Sequence, residues 1–325
     1  MKTASTRHRD QAGAVAIRPS ASIQRRRVDG VLLLDKPVGL TSNAALQRVK
    51  RLYRAEKAGH TGTLDPLASG LLPICLGEAT KFAHMLLDAD KSYVATIRLG
   101  VTTSTADAEG EVLRARPIEV SRDDVEAVLP RFVGTIAQRP PRHAALKYRG
   151  RNYYEYARAG VEIPRAERNV VVSELALEHW SPPDFVIWVR CGKGTYVRVL
   201  AEDIGEALGC GAHLAALRRA ATGGFDLRAA ATLETLATLS EAERDLRLLA
   251  TDALVAALPR IDLTADEAAR LRQGQAVARA GVPEGIYRVY ATDVFAGVAH
   301  SHHGKLQPRR LVAAPARPSI ESLES

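Results

Sequence analysis

Apolar positions along the 325-residue chain recur with two different periods. Val31-Leu32-Leu33-Leu34 is a continuous apolar run closed by Asp35-Lys36-Pro37-Val38-Gly39, which predicts a buried strand with order beginning at Gly30. Thr41 or Ser42 is then placed to cap a helix on which Leu46, Val49 and Leu52 recur at helical spacing. Tyr93, Ala95, Ile97 and Leu99 alternate with Val94, Thr96 and Arg98, the period of a strand with two unlike faces. Ser121 and Asp124 have capping-box spacing ahead of Val125 and Val128. Phe185 to Arg190 reads as another strand, and Val197 to Ile204 as a helix that starts directly after the turn Lys193-Gly194-Thr195. Strands and helices mix without a regular βαβ rhythm, so the fold class is α+β rather than a doubly wound sheet.

The pattern changes after Ala257-Leu258-Pro259. Thr264 and Glu267 make a second capping box, Ala268 and Leu271 follow at helical spacing, and Gly274 stops the helix. Short apolar segments then alternate with turn signals as far as Val312, as in a small strand-rich domain. The organisation expected is a basic tail over 1–27, a large domain over 28–256, a small domain over 257–314 and frayed residues over 315–325.

Composition narrows the class. Hydrophobic residues make up 46% and charged residues 25%, ordinary values for a soluble globular protein. No apolar run approaches the roughly 18 residues of a membrane helix, and the first residues have no apolar core of a secretory signal. Cys75, Cys191 and Cys210 have no CxxC spacing, which fits reduced thiols in the cytoplasm and no zinc site. The net charge of +8 suggests nucleic acid, but seven Lys or Arg against one acid in residues 1–27 account for most of it. That tail fits a solvated segment without a specific role, a non-specific RNA-binding arm, a transit peptide or an overcalled start.

Candidate chemistry centres on Lys57 to Gly70, a stretch with the composition of a loop that carries His60, Thr61, Thr63 and a single carboxylate, Asp65. Leu71 to Leu76 behind it offers a rigid buried support. No Ser/His/Asp grouping, metal-ligand spacing or Walker sequence accompanies Asp65, so any chemistry falls to a carboxylate without a metal. Between Ala145 and Arg158, Lys147, Arg149, Arg151 and Arg158 interleave with Tyr148, Tyr153, Tyr154 and Tyr156. Phosphate contacts alternating with base stacking have this composition, and so has an amphipathic helix with its tyrosines packed inward. Tyr196 and Arg198 stand two residues apart after the Lys193-Gly194-Thr195 turn. His300, His302 and His303 have no cysteine or acid beside them in sequence and read as a surface turn.

Taken together these segments resemble the TruB family of tRNA pseudouridine-55 synthases, from about Gly30 to Val312. Gly30 to Pro37 is similar to the family's first motif, and Gly59-His60-Thr61-Gly62-Thr63-Leu64-Asp65-Pro66 to its catalytic loop, which puts Asp65 at the catalytic aspartate position. Lys91-Ser92-Tyr93 resembles the segment of the active-site tyrosine, and Lys193 to Arg198 the motif whose tyrosine lines the base pocket and whose arginine pairs with the aspartate. Gly211 to Arg219 resembles the late motif, where Leu217 packs against the base, and Lys305 to Val312 the end of a PUA-type RNA-binding domain. The departure is Pro140-Pro141-Arg142-His143-Ala144-Ala145, where the family often has Pro-Pro-x-Tyr-Ser-Ala.

The resemblance implies a mixed, mainly antiparallel catalytic sheet with a small PUA-like domain, a cytoplasmic location and the T arm of tRNA as partner. It implies no cofactor, no metal and no obligatory protein partner. Asp65, Tyr93 and Arg198 become the catalytic set, and His60, Thr61, Gly62, Tyr196, Leu217, Lys81 and Asp107 the substrate-binding set, with His60 wedging into the place of a flipped uridine. Asp107 has two further readings, a brace for the site or a turn residue. Three rival readings stand beside this one. They are an RNA-binding protein without catalysis, a guide-RNA-dependent synthase that needs accessory proteins, and a nucleoside glycosidase, which the absence of a second acid disfavours.

Overall fold

The computed structural model describes residues 24–144 and 146–313; the readings made for residues 1–23 and 315–325 lie outside them. In chain order the large sheet and its helices are β1 (Gly30–Lys36), α1 (Ser42–Leu52), β2 (Ala58–His60), β3 (Ala68–Leu76), β4 (Lys91–Leu99), β5 (Val101–Thr103) and β6 (Val112–Ala115). There follow α2 (Arg122–Val128), β7 (Gly134–Gln138), β8 (Lys147–Tyr148), β9 (Arg151–Asn152), α3 (Tyr153–Arg158), β10 (Arg168–Ser181), β11 (Asp184–Cys191) and α4 (Val197–Ala207). The last of this part are β12 (Ala212–Thr222), β13 (Phe225–Asp226), β14 (Ala231–Thr232), α5 (Leu233–Thr238) and α6 (Glu241–Asp245).

Ten of these strands form a sheet ordered β14-β1-β3-β12-β4-β11-β10-β7, with β2 added on β3 and β13 on β12, while β5–β6 and β8–β9 are separate two-stranded sheets. Only β1–β14 and β3–β12 run parallel in the ten-stranded sheet. The fold is therefore mixed α+β with a mainly antiparallel sheet. The apolar run of β1 forms a strand because both of its faces are covered: Leu32 and Leu34 meet α1 and α5, while Val31 and Leu33 meet Phe82 and Leu254. Thr41 caps α1 by accepting the Ala44 N–H at 3.0 Å, and both predicted capping boxes form, at Ser121/Asp124 and Thr264/Glu267. Helix α4 lays Leu200, Ala201 and Ile204 against Ile97 and Leu214 of the sheet.

The C-terminal part is a separate five-stranded sheet, ordered β15 (Arg260–Leu263), β17 (Gly285–Ala291), β18 (Val294–His302), β19 (Lys305–Leu311) and β16 (Val277–Ala278), with α7 (Ala265–Arg272) over it. Ile261, Leu271, Val289 and Leu306 make its own core. Phe295 and Val298 join it to the large sheet, with the Phe295 ring 5.3 Å from that of Phe82.

Three sequence expectations need correction, and one strand was not read from the sequence at all. Order begins before Gly30, because Arg26 donates to Asp245 at 2.7 and 2.6 Å and pairs its backbone with Arg54. The stretch 57–70 is not one loop: Ala58–His60 pairs with β3, and β3 itself starts at Ala68, leaving 61–67 irregular. Within the stretch read as 145–158, the described residues 146–158 are neither a single helix nor a bare basic patch. They fold as the β8–β9 hairpin and the six-residue α3, with Tyr153 buried and the Arg149 and Arg158 guanidiniums lying over the rings of Tyr148 and Tyr154. The 14-residue β10 has no clear sequence signal because half of it is exposed.

Candidate active site

The irregular segment 61–67 runs into β3, which lies parallel to β12 in the register Leu217↔Ala68 and Arg219↔Gly70. Strand β4 pairs with the other edge of β12, placing Ala95 opposite Leu217 and Tyr93 opposite Arg219. Three strands therefore deliver Asp65, Leu217 and Tyr93 to one place. Gly70 makes this possible: its φ is +98°, and a Cβ there would stand 2.4 Å from the Arg219 carbonyl oxygen.

The fourth contributor is the start of α4. Gln138 at the end of β7 fixes Tyr196 by accepting its N–H at 3.0 Å and donating to its carbonyl at 3.3 Å. One turn of chain later, the Arg198 side chain is buried and reaches Asp65 (Nη2 to Oδ2, 3.0 Å), while its Nη1 approaches Asp107 at 3.4 Å. The two carboxylates differ in surroundings: the Asp65 side chain is 41% exposed and that of Asp107 only 3%. Asp107 also accepts the Glu109 N–H at 3.1 Å and the Thr105 hydroxyl proton. Its loop is laced to β12 by paired backbone bonds of Ala106 and Ala108 with Leu214.

Asp65, Tyr93, His143, Tyr196, Arg198 and Leu217 surround a pocket of about 190 Å³. Burial pushes the Tyr93 phenol upward in pKa, opposed by the nearby Arg219 guanidinium, and burial likewise raises Tyr196. Burial and then the Arg198 charge push the His143 pKa down. A carboxylate facing a cavity, fixed from behind by a buried guanidinium and flanked by two phenol rings, suits a planar base with an electrophilic carbon next to it.

Residues 50–197 match the sequence model described as TruB family pseudouridylate synthase (N-terminal domain). Residues 198–263 match the tRNA pseudouridylate synthase B C-terminal domain, and 259–312 the C-terminal domain of pseudouridine synthase II TruB. The tRNA pseudouridine synthase B of Thiobacillus denitrificans is 58% identical over 89% of this chain and 97% of its own length. That of Burkholderia pseudomallei (strain K96243) is 54% identical over 92% and 99%. This chain belongs to the TruB family.

It is accordingly an isomerase of the pseudouridine synthase type. Solved structures agree on the fold: a chain in the crystal structure of a Cbf5–Nop10–Gar1 complex superposes with a TM-score of 0.65 at 27% identity, over 88% of this chain and 84% of that one. A chain in an archaeal box H/ACA sRNP Nop10–Cbf5 complex gives 0.66 at 26%, over 87% and 85%.

Of the residues that the TruB resemblance singles out, five meet at the pocket: Asp65, Tyr93, Tyr196, Arg198 and Leu217. His60, Thr61 and Gly62 lie on the same segment but not on the pocket wall. Thr61 is fully buried, and burial with the Arg219 charge lowers the His60 pKa. Asp107, expected to bind substrate or to brace the site, is buried with its carboxylate 3.4 Å from Arg198, the position of a brace. Lys81 lies away from this pocket: its amine donates to Glu78 at 2.7 Å and to the Leu311 carbonyl at 2.9 Å, linking the two sheets. His143 and Ala144, which replace the family's usual Tyr-Ser, do line the pocket.

Two cations escaped notice in the sequence. Arg219 is 1% exposed, its Nε donates to the Leu71 carbonyl at 2.7 Å, and its Nη2 has no partner among the described residues. Its charge acts on Tyr93, His60 and Lys36 together. Lys36 is fully buried, donating to the carbonyls of Pro37 (2.9 Å) and Leu40 (2.6 Å). Burial lowers its pKa to about 8, with Asp65 opposing and Arg219 reinforcing. Nothing in the local pattern separates a buried cation from an exposed one, since both residues sit in segments that are otherwise ordinary strand ends. The period-2 alternation of β12 was the only available signal for Arg219, which follows Leu217 by two positions and so shares its face.

Proposed function

We propose that the chain isomerises the uridine at position 55, in the T loop of tRNA, to pseudouridine. Uracil leaves C1′ of its ribose, turns, and rejoins through C5, with exchange of one hydrogen and no net gain or loss of atoms. The observation that carries this reading is the Asp65–Arg198 pair at 3.0 Å, with the carboxylate turned to the pocket and the guanidinium buried behind it. Asp65 acts as the ionised nucleophile, and Arg198 orients it through charge-assisted hydrogen bonds. Tyr93 stacks on the base, a contact worth about 1–3 kcal/mol, and takes part in removing the C5 proton. Tyr196 and Leu217 form the remaining walls. The uridine enters only after flipping from its stack, at a cost of a few kcal/mol, and His60 and its loop fill the place it vacates.

Residues 28–256 are the catalytic domain and 257–314 the RNA-binding domain in this reading, and the protein works in the cytoplasm without an obligatory protein partner. The 53–58% identity to relatives named tRNA pseudouridine synthase B supports the stand-alone reading over the assembly-dependent one, whose structural counterparts are 26–27% identical. The test uses an unmodified T-arm hairpin carrying tritium at C5 of its uridines, because substrate and product have the same mass. Release of about one tritium per hairpin is expected from the purified chain and none from Asp65→Asn. Tight binding without release by the wild-type chain overturns the proposal in favour of a binding module or a missing partner.

A further inference from the structure

We propose that the C-terminal sheet carries a binding site for a divalent transition-metal ion, built from Glu284, His302 and His303. The histidines were set aside in sequence for want of an acidic neighbour, and the fold supplies one from 18 residues upstream, at the entrance to β17. The β17–β18 ladder pairs Gly285 with Ser301, so Glu284 and His302 arrive side by side at its end.

Consecutive residues of a strand point to opposite faces, which would ordinarily send His303 away from His302. His303 instead takes the left-handed conformation, φ 49°, in the turn between β18 and β19. This swings its ring back to a centroid distance of 3.9 Å from His302. Glu284 Oε1 then lies 3.2 Å from His302 Nδ1 and 3.7 Å from His303 Nδ1. One ligand atom from each of the three residues falls within 4.8 Å of the others, the only such His/Cys/Asp/Glu group among the described residues.

Those separations match a coordination sphere. Two ligand atoms each about 2.05 Å from a tetrahedral ion stand about 3.4 Å apart, between the two distances observed here. Two imidazole nitrogens and one carboxylate oxygen suit zinc, nickel or copper(II), and not magnesium or calcium, which take oxygen ligands. The side chains are 44% (His302), 61% (Glu284) and 80% (His303) exposed, so water completes the sphere. His300, two residues back on the same face, stacks its ring on His302 at 5.6 Å and holds that ring from the side. A bound ion would tie the start of β17 to the β18–β19 turn, outside the pocket of Asp65.

The test takes the full chain, free of any added histidines and stripped with a chelator, and titrates it with Zn²⁺ against a competing chromophoric chelator. One equivalent bound per chain is expected. His302→Gln and Glu284→Gln should each abolish it or weaken it by at least the roughly tenfold loss that follows from misplacing a ligand. His179→Gln, at an exposed strand position, should bind like the wild type. Histidine-ring NMR resonances of His302 and His303 should move together at the same equivalence. Failure of the wild-type chain to compete overturns the proposal, and so does undiminished binding by His302→Gln.

Discussion

Arg198 holds Asp65 from below: the guanidinium side chain is 7% exposed, the carboxylate 41%, and they meet at 3.0 Å. The buried partner is itself fixed by Asp107 and by the carbonyl of His143. A carboxylate in this arrangement stays open to the pocket while its orientation is set from the interior. Asp65→Asn is expected to fold and to bind the T-arm hairpin while releasing no tritium. Arg198→Lys keeps a charge but loses the planar fork, and its turnover should fall about 10²-fold, the usual result of misplacing a reacting group by about 1 Å. Single-turnover rates on the hairpin check both.

Tyr93 faces the pocket from β4, with Arg219 opposite on β12. Tyr93→Phe keeps the ring and removes the hydroxyl, so RNA affinity is expected to hold while turnover is lost. Filter binding and tritium release, measured on the same preparation, separate the two. Unchanged turnover would sink the role of its hydroxyl.

Arg219 has no hydrogen-bond partner at Nη2 among the described residues, yet its charge reaches three groups around the pocket. Arg219 makes no ion pair among the described residues, so its removal strands no buried counter-charge and loses the bond to the Leu71 carbonyl. Arg219→Met should therefore melt within a few degrees of wild type while turnover drops about tenfold, a loss of roughly 1.4 kcal/mol in the barrier. A collapse of the melting temperature with normal specific activity in the folded fraction would make the residue purely structural.

Gly70 lies in β3 between Lys36 of β1 and Arg219 of β12, where the backbones pass close together. Alanine there combines a disfavoured φ of +98° with a contact of 2.4 Å to the Arg219 carbonyl oxygen. Gly70→Ala is expected to lose more than about 2 kcal/mol, seen as a lower urea midpoint. Activity should fall with it, because the same shift displaces β12 and Leu217.

Asp203 on α4 gives a pH signature. Burial, with Glu202 adjoining, raises its pKa from the ordinary 3.8 to about 6. Between those values the folded chain keeps a proton that the unfolded chain has lost, so this residue makes the protein less stable as pH rises through the window, and the loss is complete above about 6. Asp203→Asn should raise the melting temperature by about 2 °C at neutral pH and leave it unchanged below the window. Equal gains at both pH values would assign the effect to something other than ionisation.

Much of this protein follows from local sequence. Helix α1 with Thr41 as its cap, the two capping boxes, the buried run of β1 and the two-faced β4 are decided by residues within a few positions of one another, through side-chain period and the hydrogen bonds of first turns. Asp65, Tyr93, Tyr196, Arg198 and Leu217 could be singled out because each stands in a short run that resembles a TruB motif, and all five line one pocket. Only tertiary structure decided what those groups face. Strand order β3-β12-β4 brought three distant segments to one pocket, while tertiary packing put Asp107 beside the buried Arg198 and took Lys81 to Leu311. The same step buried Arg219 and Lys36 and carried Glu284 to His302. Burial and long-range pairing depend on which strands become neighbours, and a residue's own sequence surroundings do not contain that information.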